Sequence, residues 1–339
     1  PASTNLVTYS EDFSNAYWSK TAASVTSGFI SPDGTNNAFK LVEDTSNATH
    51  MVQRSVSFSN QKYSLSAFIK AGERNWIKIN LYDGSSSVYA YFDLTNGVVG
   101  QKVGAIGKIE NYGNGWYKCS MSSTSNVSSG NGNIGFRLAE FDGGTGYTGN
   151  GTSGVYIFGA QFEALSYPTS YIPTNGASQT RAAETCNDAG TASTFNSTEG
   201  VLYFEGSALA NPTGQEIALC ISEGQSGVNR LLIRMKTDGA IGMVLRVANT
   251  TEASINSGVL NQLSNHKVAV KWKVNDIALW IDGVEVGTDS SANVFSANTL
   301  DEVSFNQGNN SNQFYGRCKD IRVYNEALTD LQLQKLTTL

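Results

Sequence analysis

Apolar and polar residues alternate along most of the chain. Between Trp76 and Tyr82, Ile77, Ile79 and Leu81 fall on one side, and Trp76, Lys78, Asn80 and Tyr82 on the other. That two-residue period is the mark of a half-buried strand. After Asp83-Gly84-Ser85, Val88, Ala90 and Phe92 alternate in the same way with Tyr89 and Tyr91, so the two runs predict a hairpin. Further strands are predicted at 116–121, 134–138 and 155–162, separated by Gly/Asn/Ser turns such as Asn111-Tyr112-Gly113-Asn114-Gly115. Tyr167 to Pro173 holds two prolines, which lack the ladder donor, and ends the first run of strands.

The small, polar stretch 174–197 is expected to be a connector that also supplies an edge strand. Alternation then restarts at 200–205, 230–236, 241–247, 267–274 and 277–286. Only the tail departs from it. Leu328, Leu331, Leu333 and Leu336 approach helical spacing, and Thr329 or Asp330 is suited to cap a short C-terminal helix. The fold class is therefore all-β, two tandem antiparallel β-sandwich (jelly-roll) domains at 1–182 and 183–339 with a short C-terminal helix, a division that 339 residues also favour.

Composition supports many short strands and turns, with 34 Gly, 5 Pro, 15 Tyr and 15 Phe and only 15% charged residues. The net charge of −6 argues against a nucleic-acid partner, which would need a basic stripe. No window approaches 18 apolar residues, so no membrane insertion is expected, and no export signal shows in this stretch. A start at Pro1 instead of Met points to a processed form or a piece of something longer. Cys119, Cys186, Cys220 and Cys318 form no C-x-x-C pair, and free thiols are expected; spacing alone gives no support to a Cys220–Cys318 bridge.

With two histidines, His50 and His266, the chain has no H-E-x-x-H and no convincing Ser-His-Asp arrangement. The chain is read as a non-enzyme, and catalytic residues as none. A carboxylate-based glycosidase would have Glu205, Glu216, Glu223, Asp238 and Asp282 to draw on, without a spacing that pairs any two. Sugar recognition needs flat rings against pyranose C–H faces and polar groups for the hydroxyls. Trp76, Lys78, Asn80, Tyr82, Tyr89 and Tyr91 share the face opposite the aliphatic residues, and Arg137 joins them if its strand lies in the same sheet. The same aromatics would equally suit packing against a neighbouring domain or subunit. In the second half, Trp280 with Lys267, Lys271, Lys273, Arg234 and Arg246 is expected on a solvated, locally cationic face, although outer lysines also serve simply to protect strand edges.

Residues 1–185 resemble the adhesion modules of phage head-spike and tail-fibre proteins. The phrases that carry this are Asn5-Leu6-Val7-Thr8-Tyr9-Ser10-Glu11-Asp12-Phe13 with Trp18, Pro32-Asp33-Gly34-Thr35, Lys70-Ala71-Gly72-Glu73-Arg74, Gly113-Asn114-Gly115-Trp116-Tyr117, Gly159-Ala160-Gln161-Phe162-Glu163 and Thr169-Ser170-Tyr171-Ile172-Pro173-Thr174. Residues 183–339 resemble the laminin-G-like, concanavalin A-like lectin sandwich through Val268-Ala269-Val270-Lys271-Trp272, Asn275-Asp276-Ile277-Ala278-Leu279-Trp280-Ile281-Asp282-Gly283 and Asp320-Ile321-Arg322-Val323-Tyr324-Asn325.

The resemblances imply a virion-surface adhesin, made in the bacterial host cytoplasm, whose partners are a host cell-surface glycan and other virion proteins, assembled as a homo-oligomer such as a trimer. A structural fibre module, or the binding part of a polysaccharide-degrading enzyme, are the alternatives. Lectin-like domains of this class often hold Ca2+, and no other cofactor is expected; Asp282, Asp289 and Asp301 follow no spacing that maps onto a known calcium loop, and the metal ligands stay unassigned.

Overall fold

The computed structural model describes residues 2–182 and 189–339. Contacts divide the chain into two compact units, Pro1–Ala183 and Glu184–Leu339. Both are jelly-roll sandwiches built from antiparallel pairs.

In the first unit, one six-stranded sheet runs in the order Val98–Val103, Ser87–Asp93, Trp76–Tyr82, Gly130–Ala139, Met51–Phe58, Ser19–Thr21. The other runs Ala105–Gly113, Trp116–Ser123, Ser64–Ala71, Gly154–Glu163, Ala38–Glu43, Ala23–Phe29. Alternation explains the core: Ile77, Ile79, Leu81, Phe92, Ile134 and Phe136 of the first sheet are sealed against Leu41, Leu65, Ile69, Met121 and Ile157 of the second. Each such side chain contributes roughly 1.5–3 kcal/mol by leaving water. The expected hairpin is present, with Tyr82 opposite Ser87, and Asp83 closes its turn by accepting from the backbone N–H groups of Ser85 and Ser86. Those bonds, Ser86 first, hold the Asp83 carboxyl down at about 2.

The outer faces of these two sheets differ. On the second, Phe68, Trp116 and Phe158 form a satellite cluster covered by Tyr171. The Tyr171 hydroxyl is anchored to Ser10 and Glu11. The proline-bearing segment thus closes one face of the sandwich instead of leaving the unit. Part of the connector does supply an edge strand, Gln179–Arg181, which pairs with Ser3–Asn5. On the first sheet, Trp76, Tyr82 and Tyr89 remain partly exposed.

The second unit packs the sheet Val284–Asp289, Ile277–Ile281, His266–Lys273, Glu199–Ala208, Gly316–Tyr324 against Thr250–Val259, Ala240–Val247, Arg230–Met235, Ile217–Ser222, Glu302–Ser304. Its core includes Leu202, Phe204, Ile221, Leu245, Val270 and Trp272. The single strand predicted at 277–286 is instead a hairpin. Asp282 (φ 52°) and Gly283 (φ 83°) are both left-handed, and Ile281 pairs directly with Val284, the two-residue turn that matches strand twist.

The C-terminal helix spans Asp330–Thr337. Thr329 is its N-cap and exchanges hydrogen bonds with Gln332 in a capping box. Leu328 and Leu333 pack with Val201, Tyr203, Ala269 and Trp280, whereas Leu331 is 60% exposed. Cys119 and Cys220 are buried thiols; Cys220 lies against Ser222 and Ser304 in one sheet, while Cys318 pairs with Gly206 in the other. Cys186 lies outside the described residues.

Candidate functional site

Strand register settles which of the predicted residues meet. Lys78 is directly opposite both Arg137 and Tyr91, and Asn80 is opposite both Gly135 and Tyr89. Tyr82 is opposite Asn133, and Gly135 in turn faces Gln53. Cross-strand partners share a face, so Trp76, Lys78, Asn80, Tyr82, Tyr89, Tyr91 and Arg137 stand together on the outer side of one sheet. From Trp76 to Tyr82 this face runs about 20 Å along the strand, room for an extended chain.

The interior of the face is more buried than alternation alone suggests. Asn80 is 0% exposed, and neither its Oδ1 nor its Nδ2 has a hydrogen-bond partner. An unsatisfied buried amide group costs about 1–3 kcal/mol. Gly135 packs closely over it: a Cβ there would meet Gln53 Cβ at 3.1 Å, the Val52 carbonyl at 3.2 Å and Asn80 Oδ1 at 3.6 Å. The Lys78 ammonium lies 3.8 Å from the centre of the Tyr89 ring and 5.3 Å from that of Tyr91. The two rings meet edge to face at 5.7 Å.

Burial, and then the neighbouring Arg137, push the Lys78 amine down to about 8. Burial also lowers Arg137 and raises the Tyr91 phenol. Arg137 Nε has no partner. Among the described residues neither Lys78 nor Arg137 is paired with a carboxylate.

Three contributions escaped the sequence pattern. Asn133, Ser55 and Ser57 line, with Val56, a shallow cleft of about 320 Å³ beside Tyr82. The loop after Ala139 brings Phe141, 61% exposed, and Asp142 to the Trp76 end, where Asp142 accepts from the backbone N–H of Gln101. Gly135 is the third. Asn133, Phe141 and Asp142 flank the strand predicted at 134–138 and Gly135 lies inside it, whereas Ser55 and Ser57 come from Met51–Phe58, which alternation does not predict.

In the second unit the expected cationic face does not form. Trp280 is only 7% exposed because the C-terminal helix lies over it. Lys271 is buried and paired with Asp276 at 2.6 Å and Asp330 at 3.4 Å. Lys273 pairs with Glu199 and Arg234 with Glu216, while Lys267 donates to the Thr338 carbonyl. The side chain of Arg246 donates to the Asn249 carbonyl. These bases serve the domain's own surface.

The carboxylates are similarly occupied: Glu205 with Lys319, Asn265 and Tyr203, Glu223 with Asn229, Asp238 with Lys236. His266 sits between Asp282 and the Asn261 carbonyl, and His50 between the carbonyls of Ala22 and Tyr147. Asp289 caps Ser291, and Asp301 accepts from the Gly224 backbone. Among the described residues no group of three or more His, Cys, Asp or Glu side chains converges. No helix among the described residues is long and apolar enough to cross a membrane.

Residues 208–334 match the model of the concanavalin A-like lectin/glucanases superfamily. The match falls within the second unit. Among solved structures, the chain is similar to the Ruminococcus gnavus IT-sialidase CBM40 at 17% identity, covering 46% of this chain and 98% of that one with a TM-score of 0.37. A SAP-like pentraxin from Limulus polyphemus matches at 18% identity over 44% and 73% of the two chains, with a TM-score of 0.36. Domains LG4-5 of the mouse laminin alpha1 chain match at 10% identity over 84% and 89%, with a TM-score of 0.30. Likenesses at that level establish no shared ligand or reaction. No curated protein matches the chain.

Proposed function

We propose that the chain is a non-catalytic glycan-binding protein, and that its ligand lies along the outer face of the first unit's sheet, across Trp76, Lys78, Asn80, Tyr82, Tyr89, Tyr91 and Arg137. The observation that carries this is Asn80. It is a buried amide with two polar atoms that the fold itself leaves unpaired, set between Tyr89 and Gly135 in the middle of the aromatic face. The rings beside it supply flat apolar surface, as pyranose C–H faces require. Support for a virion-surface setting, on a head spike or tail fibre that holds a bacterial surface polysaccharide, comes from the sequence phrases of residues 1–185. Several weak sites on an oligomeric fibre would act through avidity. The lectin-like second unit either adds a further binding surface or attaches the fibre.

The test is retention on a panel of bacterial surface polysaccharides by the full chain and by Trp76→Ala and Tyr89→Ala. Both variants should fold and lose at least about tenfold in affinity, equivalent to ~1.4 kcal/mol. If they retain glycan normally but fail to oligomerise, the aromatic face is a subunit contact and the proposal is wrong.

A further inference from the structure

Lys78 and Arg137 pose a problem that neutral sugar binding leaves unexplained. Like charges placed directly opposite on neighbouring strands destabilise a sheet, yet these two are in register and half-buried. No carboxylate relieves them among the described residues. The nearby Asp142 is held by the Gln101 backbone. Tyr89 and Tyr91 meet the ammonium with ring faces, which stabilise a cation without neutralising it. The Arg137 Nε is sealed from solvent without a partner, as are those of Arg230 and Arg234, so an oxyanion would be met by the outer N–H groups of the guanidinium fork. Arg74, Lys40 and Lys271 are matched by Glu43, Glu73 and Asp276, whereas Arg230, opposite Arg246, is held by the Gln307 carbonyl.

We propose that Lys78 and Arg137 form an oxyanion subsite, so that the glycan bound on this face is an acidic one whose carboxylate sits between the two cations while its ring lies on Tyr89. This rests on the glycan-binding reading above and narrows its ligand class. A phosphate ester on the sugar offers the same chemistry from another source.

The experiment is an array of bacterial polysaccharides grouped as carboxylate-bearing, phosphate-bearing and neutral, with each carboxylate polymer also presented after chemical reduction of its carboxyls to alcohols. It is probed with the full chain and with Lys78→Gln, Arg137→Gln and Lys78→Arg, each first checked for an unchanged melting curve. The expected result is retention of carboxylate polymers, lost at least tenfold on reduction. Lys78→Gln and Arg137→Gln should lose the preference, and Lys78→Arg should restore it. Retention confined to phosphate-bearing polymers with the same variant pattern supports the subsite and assigns its source. Equal retention of reduced and unreduced polymer, or a preference that survives both Gln variants, overturns the subsite while leaving glycan binding intact. No retention by the unaltered chain overturns both.

Discussion

Two side chains in the first unit show how differently a buried polar group is treated in scaffold and in site. The Glu43 carboxylate is 1% exposed but fully engaged, holding Arg74 through two bonds of 2.8 Å, the Tyr147 hydroxyl and the Asn150 backbone. Burial alone would raise its carboxyl; these donors, Arg74 foremost, more than offset that and hold it below the usual carboxylate range. Its folded value lies below its unfolded one, so the stability it adds is present above about pH 4.3 and is lost as pH falls through the folded value. Arg74→Ala leaves a buried charge uncompensated and should destabilise by about 3 kcal/mol in urea unfolding. Asn80 is the reverse case. Asn80→Ala removes no protein hydrogen bond, so we expect a change in stability within about 1 kcal/mol together with loss of glycan retention. Lys78, facing Arg137, Tyr89 and Tyr91 with Asp142 nearby, is charged only below its lowered value of about 8. Affinity for an acidic glycan should therefore fall as pH rises from 7 to 9, and affinity for a neutral one should not.

At the scale of elements, alternation made the central strands legible because Ile77, Ile79 and Leu81 each point into one core. It did not separate 277–281 from 284–289, since the alternation continues through a two-residue turn. Nor could it tell an outer face covered by another element from one left open. Trp280 and Tyr89 look alike in sequence, but the helix Asp330–Thr337 covers the first. That helix was itself readable from its leucine spacing and cap. Thr329→Ala should cost about 1 kcal/mol by loss of the cap, and Leu333→Ala about 2–5 kcal/mol. Deleting 330–339 should red-shift tryptophan emission as Trp280 meets water; unchanged emission would mean that the helix does not shield it.

For the whole molecule, the fold was largely written in composition and periodicity, whereas the site was only half legible. The seven first-unit residues chosen from pattern do share one face, but the close packing of Gly135, the unpartnered state of Asn80 and the arrival of Phe141 depend on neighbours distant in sequence. The phrases that resemble virion modules turn out largely to be scaffold. Asn5 holds the carbonyls of Ala160 and Ile172, Trp18 donates to the Tyr9 carbonyl, and Phe13 stacks on Trp18. They mark the fold more firmly than the ligand. Since each unit has its own core, residues 1–182 alone are expected to keep the glycan affinity of the full chain per site. The most direct test of the central claim is a crystal structure of the full chain grown with an oligosaccharide from a retained polysaccharide. We expect sugar density over Tyr89 with a hydroxyl at the Asn80 amide; sugar bound only to the second unit, with the Asn80 face empty, would contradict it.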